Sequence, residues 1–242
     1  MIADDDIQRI LVITAHPDDL DFGAAGTIAG WTDAGIRVSY CICTNGDAGG
    51  FDPEVPRTEI PHIRQEEQRA AAAILGVAHD DVHFLGYPDG ALMATQDLRR
   101  DISRVIRQVR PQRVLCQSAE RNYERIYGSH PDHLAAGEAA INAIYPDARN
   151  PFAHPELAAE GYEAWTVPET WVMAGKSANH AVDITDRFDR KLDALLAHTS
   201  QTEHMGRQGL VERLTPWNGG IAEEYGFGPG RFAESFLVVD TK

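Results

Sequence analysis

The chain is short of positive charge. Its 242 residues carry 22 Lys and Arg against 37 Asp and Glu, a formal net charge of −15. It therefore lacks the clustered cations that a phosphate backbone or an anionic membrane surface requires, and neither nucleic acid nor membrane is an expected partner. Neutral or cationic ligands suit it better. Cysteine is scarce as well: Cys41, Cys43 and Cys116 are the only three, each inside an apolar, strand-like run. Such a set reads as buried, reduced thiols rather than as a disulfide framework. No apolar run approaches the roughly 18 residues that signal a membrane span. No charged segment followed by an apolar core opens the chain, so a cytoplasmic location is expected. Low-complexity tracts are missing, and at 43% apolar and 24% charged residues the composition excludes disordered and fibrous classes.

What is present is an alternation. Residues 10–14 (Ile-Leu-Val-Ile-Thr) are too few for a helix and suit a strand buried on both faces. A helical spacing of small and apolar residues follows over 23–34, with Gly35 as its cap. Further strands are predicted over 36–43, 82–85 and 113–116. Helices are predicted over 62–75, from Thr95 to Val109, and over 134–143. Four strand–helix alternations predict an α/β fold, a Rossmann-like three-layer core with a mainly parallel sheet. After residue 145 the period breaks into Pro-rich, aromatic sequence. Strands over 170–174, 180–184 and 232–239 and a helix over 186–197 then predict a smaller C-terminal cap. The expected organisation is one domain over 1–242, with a core over 1–145 and a lobe over 146–242 that completes the site.

The first strand runs straight into His16-Pro17-Asp18-Asp19, and His130-Pro131-Asp132-His133 repeats the His-Pro-Asp core far along the chain. In open α/β sheets, ligands bind beyond the carboxyl ends of strands, which is where both clusters fall. Gly23-Ala-Ala-Gly26 lacks the G-x-G-x-x-G order of a dinucleotide cradle, and carboxylates stand where a pyrophosphate would sit. A catalytic zinc takes three His, Asp, Glu or Cys ligands and leaves a place for water. His16 and Asp19, three apart at a helix entry, converge on one point. His130 and His133 stand on neighbouring turns of a helix that Pro131 opens, so one of them is able to ligate while the other faces the reacting group. Either cluster alone reads as a helix cap; together, each between a strand and a helix, they point to one metal site.

Ala15-His-Pro-Asp-Asp-Leu-Asp-Phe-Gly23 and His130-Pro-Asp-His133 resemble the signature motifs of the PIG-L/LmbE-like family, zinc-dependent N-deacetylases of N-acetylglucosaminyl compounds. The likeness extends through Thr44-Asn-Gly-Asp47, Arg64-x-x-Glu67, Leu75-Gly-Val77 and Phe84-Leu-Gly-Tyr-Pro-Asp-Gly90 and thins beyond residue 145, apart from Phe232-Ala-Glu-Ser-Phe236. The resemblance implies zinc, or another divalent first-row ion, held by His16, Asp19 and His133. It implies Asp18 as general base and His130 as the group that assists at the oxyanion and the leaving amine. Asp132 is expected to hold the His130 imidazole in one tautomer and raise its pKa. Arg64 and Asp89 resemble the family's sugar-hydroxyl contacts, with a structural ion pair or loop cap as the other reading, and Tyr127 is a candidate oxyanion contact. Where many relatives carry Glu, this chain has the shorter Asp21. His62, His79, His83, His154, His180, His198 and His204 have no acid at ligand spacing and are expected to be surface or packing residues.

The reaction this implies is removal of acetate from a small N-acetylglucosamine-type glycoside, in a protein expected to form a homo-oligomer. The alternatives are a metal-anchored glycan-binding protein and a metal-dependent phosphoesterase. A binding module needs neither a base nor an oxyanion partner, and two-metal phosphoesterases need more ligands than these motifs supply.

Overall fold

The structure is a computed structural model that describes every residue except Phe51 and Arg125. Strands β1 (Arg9–Thr14), β2 (Arg37–Thr44), β3 (Val82–Tyr87), β4 (Arg113–Gln117) and β5 (Glu169–Met173) pair in parallel. Helices α1 (Asp19–Asp33), α2 (Ile60–Ile74), α3 (Gln96–Val109) and α4 (Pro131–Asn142) connect them. Residues 10–14 of β1 are wholly buried, because both faces of the sheet are covered. Alternate side chains divide between two cores. Ile10 and Val12 pack with Leu20, Ala24 and Ile28 of α1, and Leu11 and Ile13 with Leu98, Ile102 and Ile106 of α3. Each such aliphatic side chain contributes roughly 1.5–3 kcal/mol on burial. Thr95 caps α3 as predicted, its hydroxyl accepting the Leu98 N–H.

The last third supplies the expected strands and helix, and the strands join the main sheet. After α5 (Pro155–Ala159), β5 joins the parallel sheet, and β7 (Ala233–Asp240) runs antiparallel between β5 and β6 (His180–Asp183). The sheet therefore has seven strands in the order β3-β2-β1-β4-β5-β7-β6, and the C-terminal strands continue it rather than standing beside it. α6 (Phe188–Leu196) and the short α7 (Thr199–Thr202) lead to α8 (Gly206–Glu224), a helix the sequence does not announce. Gly209, Pro216, Gly219 and Gly220 all lie inside it. Packing overrides their low propensity: Leu210 and Leu214 bury against Phe188, Leu192 and Leu195.

Two features position the site. From β1 the chain lays down β2 and β3 on one side and β4 on the other, so the loops after β1 and β4 face each other across a topological switch point. α4 seats directly on the end of β4, since a Cβ on Gly137 would lie 2.5 Å from the Gln117 carbonyl oxygen. α1 is fixed in turn by a fully buried ion pair. Lys191 Nζ donates to Glu234 and to the Phe22 carbonyl, while Glu234 accepts from the Gly26 and Thr27 amides and the Thr27 hydroxyl.

The three cysteines are free and buried, as expected. No helix among the described residues is long and apolar enough to cross a membrane.

Candidate metal centre

The turn that ends β1 is built to project carboxylates. The Ala15 N–H is anchored by Gln117 Oε1 at 2.9 Å, and the His16 N–H donates to Asp19 Oδ2 at 2.7 Å. Asp18 sits in the left-handed region at φ +90° and makes no side-chain cap to α1. For a non-glycine residue that conformation costs about 1–3 kcal/mol, so the surroundings must hold it. They do: Arg64 donates to the Pro17 carbonyl, and Gln68 Oε1 accepts the Asp18 N–H at 2.8 Å. Across the crevice α4 begins at Pro131, with His130 as its N-cap, its Nδ1 accepting the Asp132 N–H at 3.2 Å.

These elements bring both motifs together. The Asp19 carboxylate lies between two imidazoles, Oδ2 3.3 Å from His16 Nδ1 and Oδ1 2.9 Å from His133 Nε2. Tetrahedral ligands about 2.0–2.1 Å from a metal stand about 3.3 Å from one another, and each of these two contacts, made through a different oxygen of Asp19, is of that order. His16, His130 and His133 also place nitrogens within 4.8 Å of one another. The other nitrogen of His16, Nε2, faces Asp89 Oδ1 at 3.0 Å and Asp132 Oδ2 at 3.3 Å. A ligating histidine characteristically turns its second ring nitrogen to a carboxylate in this way.

Electrostatics point in the same direction. Burial works against a charged His16, but the Asp19 charge and hydrogen bonds to Asp132, Asp19 and Asp89 outweigh it, and the pKa is pushed up to about 12. Burial opposes a charged His133 too, and Asp19 again raises it. Burial tends to raise Asp19, yet His133 and His16 hold its carboxyl well below the usual range. The carboxylates thus favour positive charge on these imidazoles, a charge that a divalent ion is suited to supply in place of protons. Asp18 differs. Burial lifts its carboxyl, Arg64 pulls it back and Asp19 lifts it again, leaving it at about 6, a value suited to a base near neutral pH.

Several expectations need correction. The Asp132 carboxylate does not hold His130. Fully buried, it accepts from the Gly90 and Leu92 amides at 2.7 and 3.2 Å and faces His16, so it orients a different imidazole. The His130 pKa is lowered, not raised, by burial and by the charges of His16 and His133. Its imidazole is therefore neutral, with Nδ1 accepting and the proton on Nε2. Arg64 is buried and spent on Asp18 Oδ2 at 3.3 Å and on the Pro17 and Gly46 carbonyls, which is the ion-pair reading rather than a sugar contact. Tyr127 stays in solvent, 87% exposed, on a turn whose Ser129 hydroxyl is tied back to Asn122. His198, expected as packing, is fully buried with Nε2 2.8 Å from Asp21 Oδ2. The one local signal for Gln68 in the sequence is its polar position beside the alanines of α2.

If Asp132 orients His16, Asp132→Asn is expected to weaken divalent-ion affinity about 10–100-fold, read by calorimetry. Wild-type affinity in that variant would remove the role.

Beside this centre, a cleft of about 810 Å³ is lined by Asp47, Arg57, Ile60, Ile63, Ser200 and His204 among others. Asp47 links the two, since its Oδ1 accepts the Asp89 N–H at 3.0 Å.

Comparison with known proteins gives a consistent picture. Residues 11–144 match the family described as GlcNAc-PI de-N-acetylase, PIG-L. The chain is 35% identical to a diacetylchitobiose deacetylase of Thermococcus kodakarensis over 97% of its own length and 84% of the relative's. It is 35% identical to a Bacillus cereus protein described as "probable N-acetyl-alpha-D-glucosaminyl L-malate deacetylase 2", over 82% and 86% of the two chains. Among solved structures, the N,N'-diacetylchitobiose deacetylase of Pyrococcus horikoshii superposes with a TM-score of 0.85 at 29% identity, covering 98% of this chain and 85% of that one.

Proposed function

Because the chain belongs to the PIG-L family of de-N-acetylases, we propose that it is a metal-dependent amidohydrolase removing acetate from a small N-acetylglucosamine-containing glycoside. One observation carries this reading beyond family membership: the Asp19 carboxylate joins imidazoles from both motifs, while the adjacent Asp18 is held apart with a carboxyl near pKa 6. His16, Asp19 and His133 are the proposed ligands, and zinc is the proposed ion. When bound, such an ion polarises an amide carbonyl and lowers the pKa of water toward about 7.

The chain's own groups supply the rest. Asp18 takes the proton of the attacking water and delivers it to the departing nitrogen, which leaves as an amine because an amide anion is a very poor leaving group. Neutral His130 donates its Nε2–H to the carbonyl oxygen as charge develops there. Asp132 and Asp89 hold His16. The rest of the glycoside enters the cleft beside Asp47, whose carboxylates favour a neutral or cationic aglycone. Three free buried thiols fit a reducing compartment, and we place the protein in the cytoplasm. Exposed Tyr123, Ile126 and Tyr127 beside the second motif fit a contact between copies in a homo-oligomer.

The test is acetate release from diacetylchitobiose and other N-acetylglucosamine glycosides, before and after metal removal. Loss on chelation and recovery on adding zinc are expected. Full release from metal-free protein would overturn the reading, and sugar binding without acetate would favour the glycan-binding alternative.

A further inference from the structure

One face of α2 holds the peptide between Pro17 and Asp18 at both of its polar atoms. Arg64 donates to the Pro17 carbonyl and Gln68 Oε1 accepts the Asp18 N–H at 2.8 Å. Positions 64 and 68 lie one above the other on a helix, so a single face makes both contacts. A glutamine amide works here only one way round, because its NH₂ end would set donor against donor at Asp18. Gln68 is kept from turning by its other end, where Nε2 donates to Asp21 Oδ2 at 2.9 Å. Asp21 is fixed in turn, since His198 Nε2 meets the same oxygen at 2.8 Å. All three side chains are fully buried and come from α2, α1 and the entry to α7.

We propose that His198, Asp21 and Gln68 form a positioning relay that sets the orientation of Asp18, with Gln68 the member that acts on its backbone. The relay rests on the reading of Asp18 as the base. Asp18 needs it because its φ of +90° is a conformation that an L residue leaves when nothing holds it. Rotation of the preceding peptide swings the carboxylate, and a misplacement of about 1 Å costs on the order of 100-fold in rate. Asp19 has separate support, from the His16 N–H and from the two imidazoles, so metal binding does not depend on the relay.

Gln68→Met keeps the length of the side chain and removes both hydrogen bonds. It is expected to lower kcat about 100-fold while KM and zinc affinity stay within about threefold of wild type. In its crystal structure Asp18 leaves the left-handed region. His198→Leu lowers kcat in the same selective way, and His198→Gln, which can still donate to Asp21, restores it to within about threefold. Wild-type kcat in Gln68→Met, an equal loss of zinc affinity, or an unmoved Asp18 would each overturn the relay. Should Gln68→Met fail to fold, Gln68→Glu keeps the acceptor but sets a carboxylate against Asp21, and the same measurements apply to it. A wild-type protein that releases no acetate ends the deacetylase reading instead, and the relay is then decided by the Asp18 φ in the variant's crystal structure.

Discussion

Asp19→Ala is expected to release no acetate at all. Its affinity for divalent ions should fall by more than the roughly 10–100-fold that loss of an outer partner costs. The expectation follows from where the carboxylate lies, one oxygen toward His16 Nδ1 and the other toward His133 Nε2, so alanine removes the group common to both motifs. Proton linkage gives a second readout. Asp19 and its neighbours push the His16 pKa up to about 12, so that ring carries a proton at neutral pH in metal-free protein, and Asp19 raises the pKa of His133 as well. Binding a cation must displace protons, and wild-type affinity therefore weakens as pH falls. Calorimetry in buffers of different ionisation enthalpy measures that release. It should shrink in Asp19→Ala, whose imidazoles have lost the charge that held their protons. A variant that bound zinc as well as wild type would remove Asp19 from the ligand set and leave the trio His16, His130 and His133, whose nitrogens also converge.

The part of this arrangement that was legible in the sequence is the part encoded locally. Residues 10–14 announce a buried strand by composition alone, and the polar residues that stop it lie at the strand's carboxyl end, beside the topological switch point. His130-Pro-Asp-His133 announces a helix start because proline is favoured at the first helical position, and α4 begins there. What escaped depends on pairings across long stretches of chain. Asp21 and His198 stand 177 positions apart, so no spacing rule connects them. Sequence proximity points the Asp132 carboxylate at His130, whereas folding carries it to His16, 116 positions away. α8 escaped for a different reason. Two adjacent glycines and a proline argue locally against a helix, and only the apolar face of α6 overrules them. The β5-β7-β6 edge is similar, since short strands declare their existence but not their neighbours.

Asp18→Asn isolates the base from the rest of the centre. Asparagine has the same shape and keeps the backbone contacts to Gln68 and, through Pro17, to Arg64, giving up only the ion pair between Oδ2 and Arg64. Metal affinity should therefore stay near the wild-type value. What disappears is a group able to accept a proton from water and return it to nitrogen. The loss in kcat is expected to be about 10³-fold, inside the roughly 10²–10⁴ that general acid–base catalysis contributes. The pH profile distinguishes this from a packing defect. Burial raises the Asp18 carboxyl and Arg64 restrains it, to about 6. A base acts only when unprotonated, so wild-type activity is retained above that value and lost as pH falls through it. A bound cation adds positive charge nearby and moves the acid limb lower still. Asp18→Asn should lose that limb along with its activity, its residual rate passing through the same range without the fall. A variant that kept the limb at an unchanged pH would assign it to another group, and Asp18 would then be a neighbour of the reaction rather than its base.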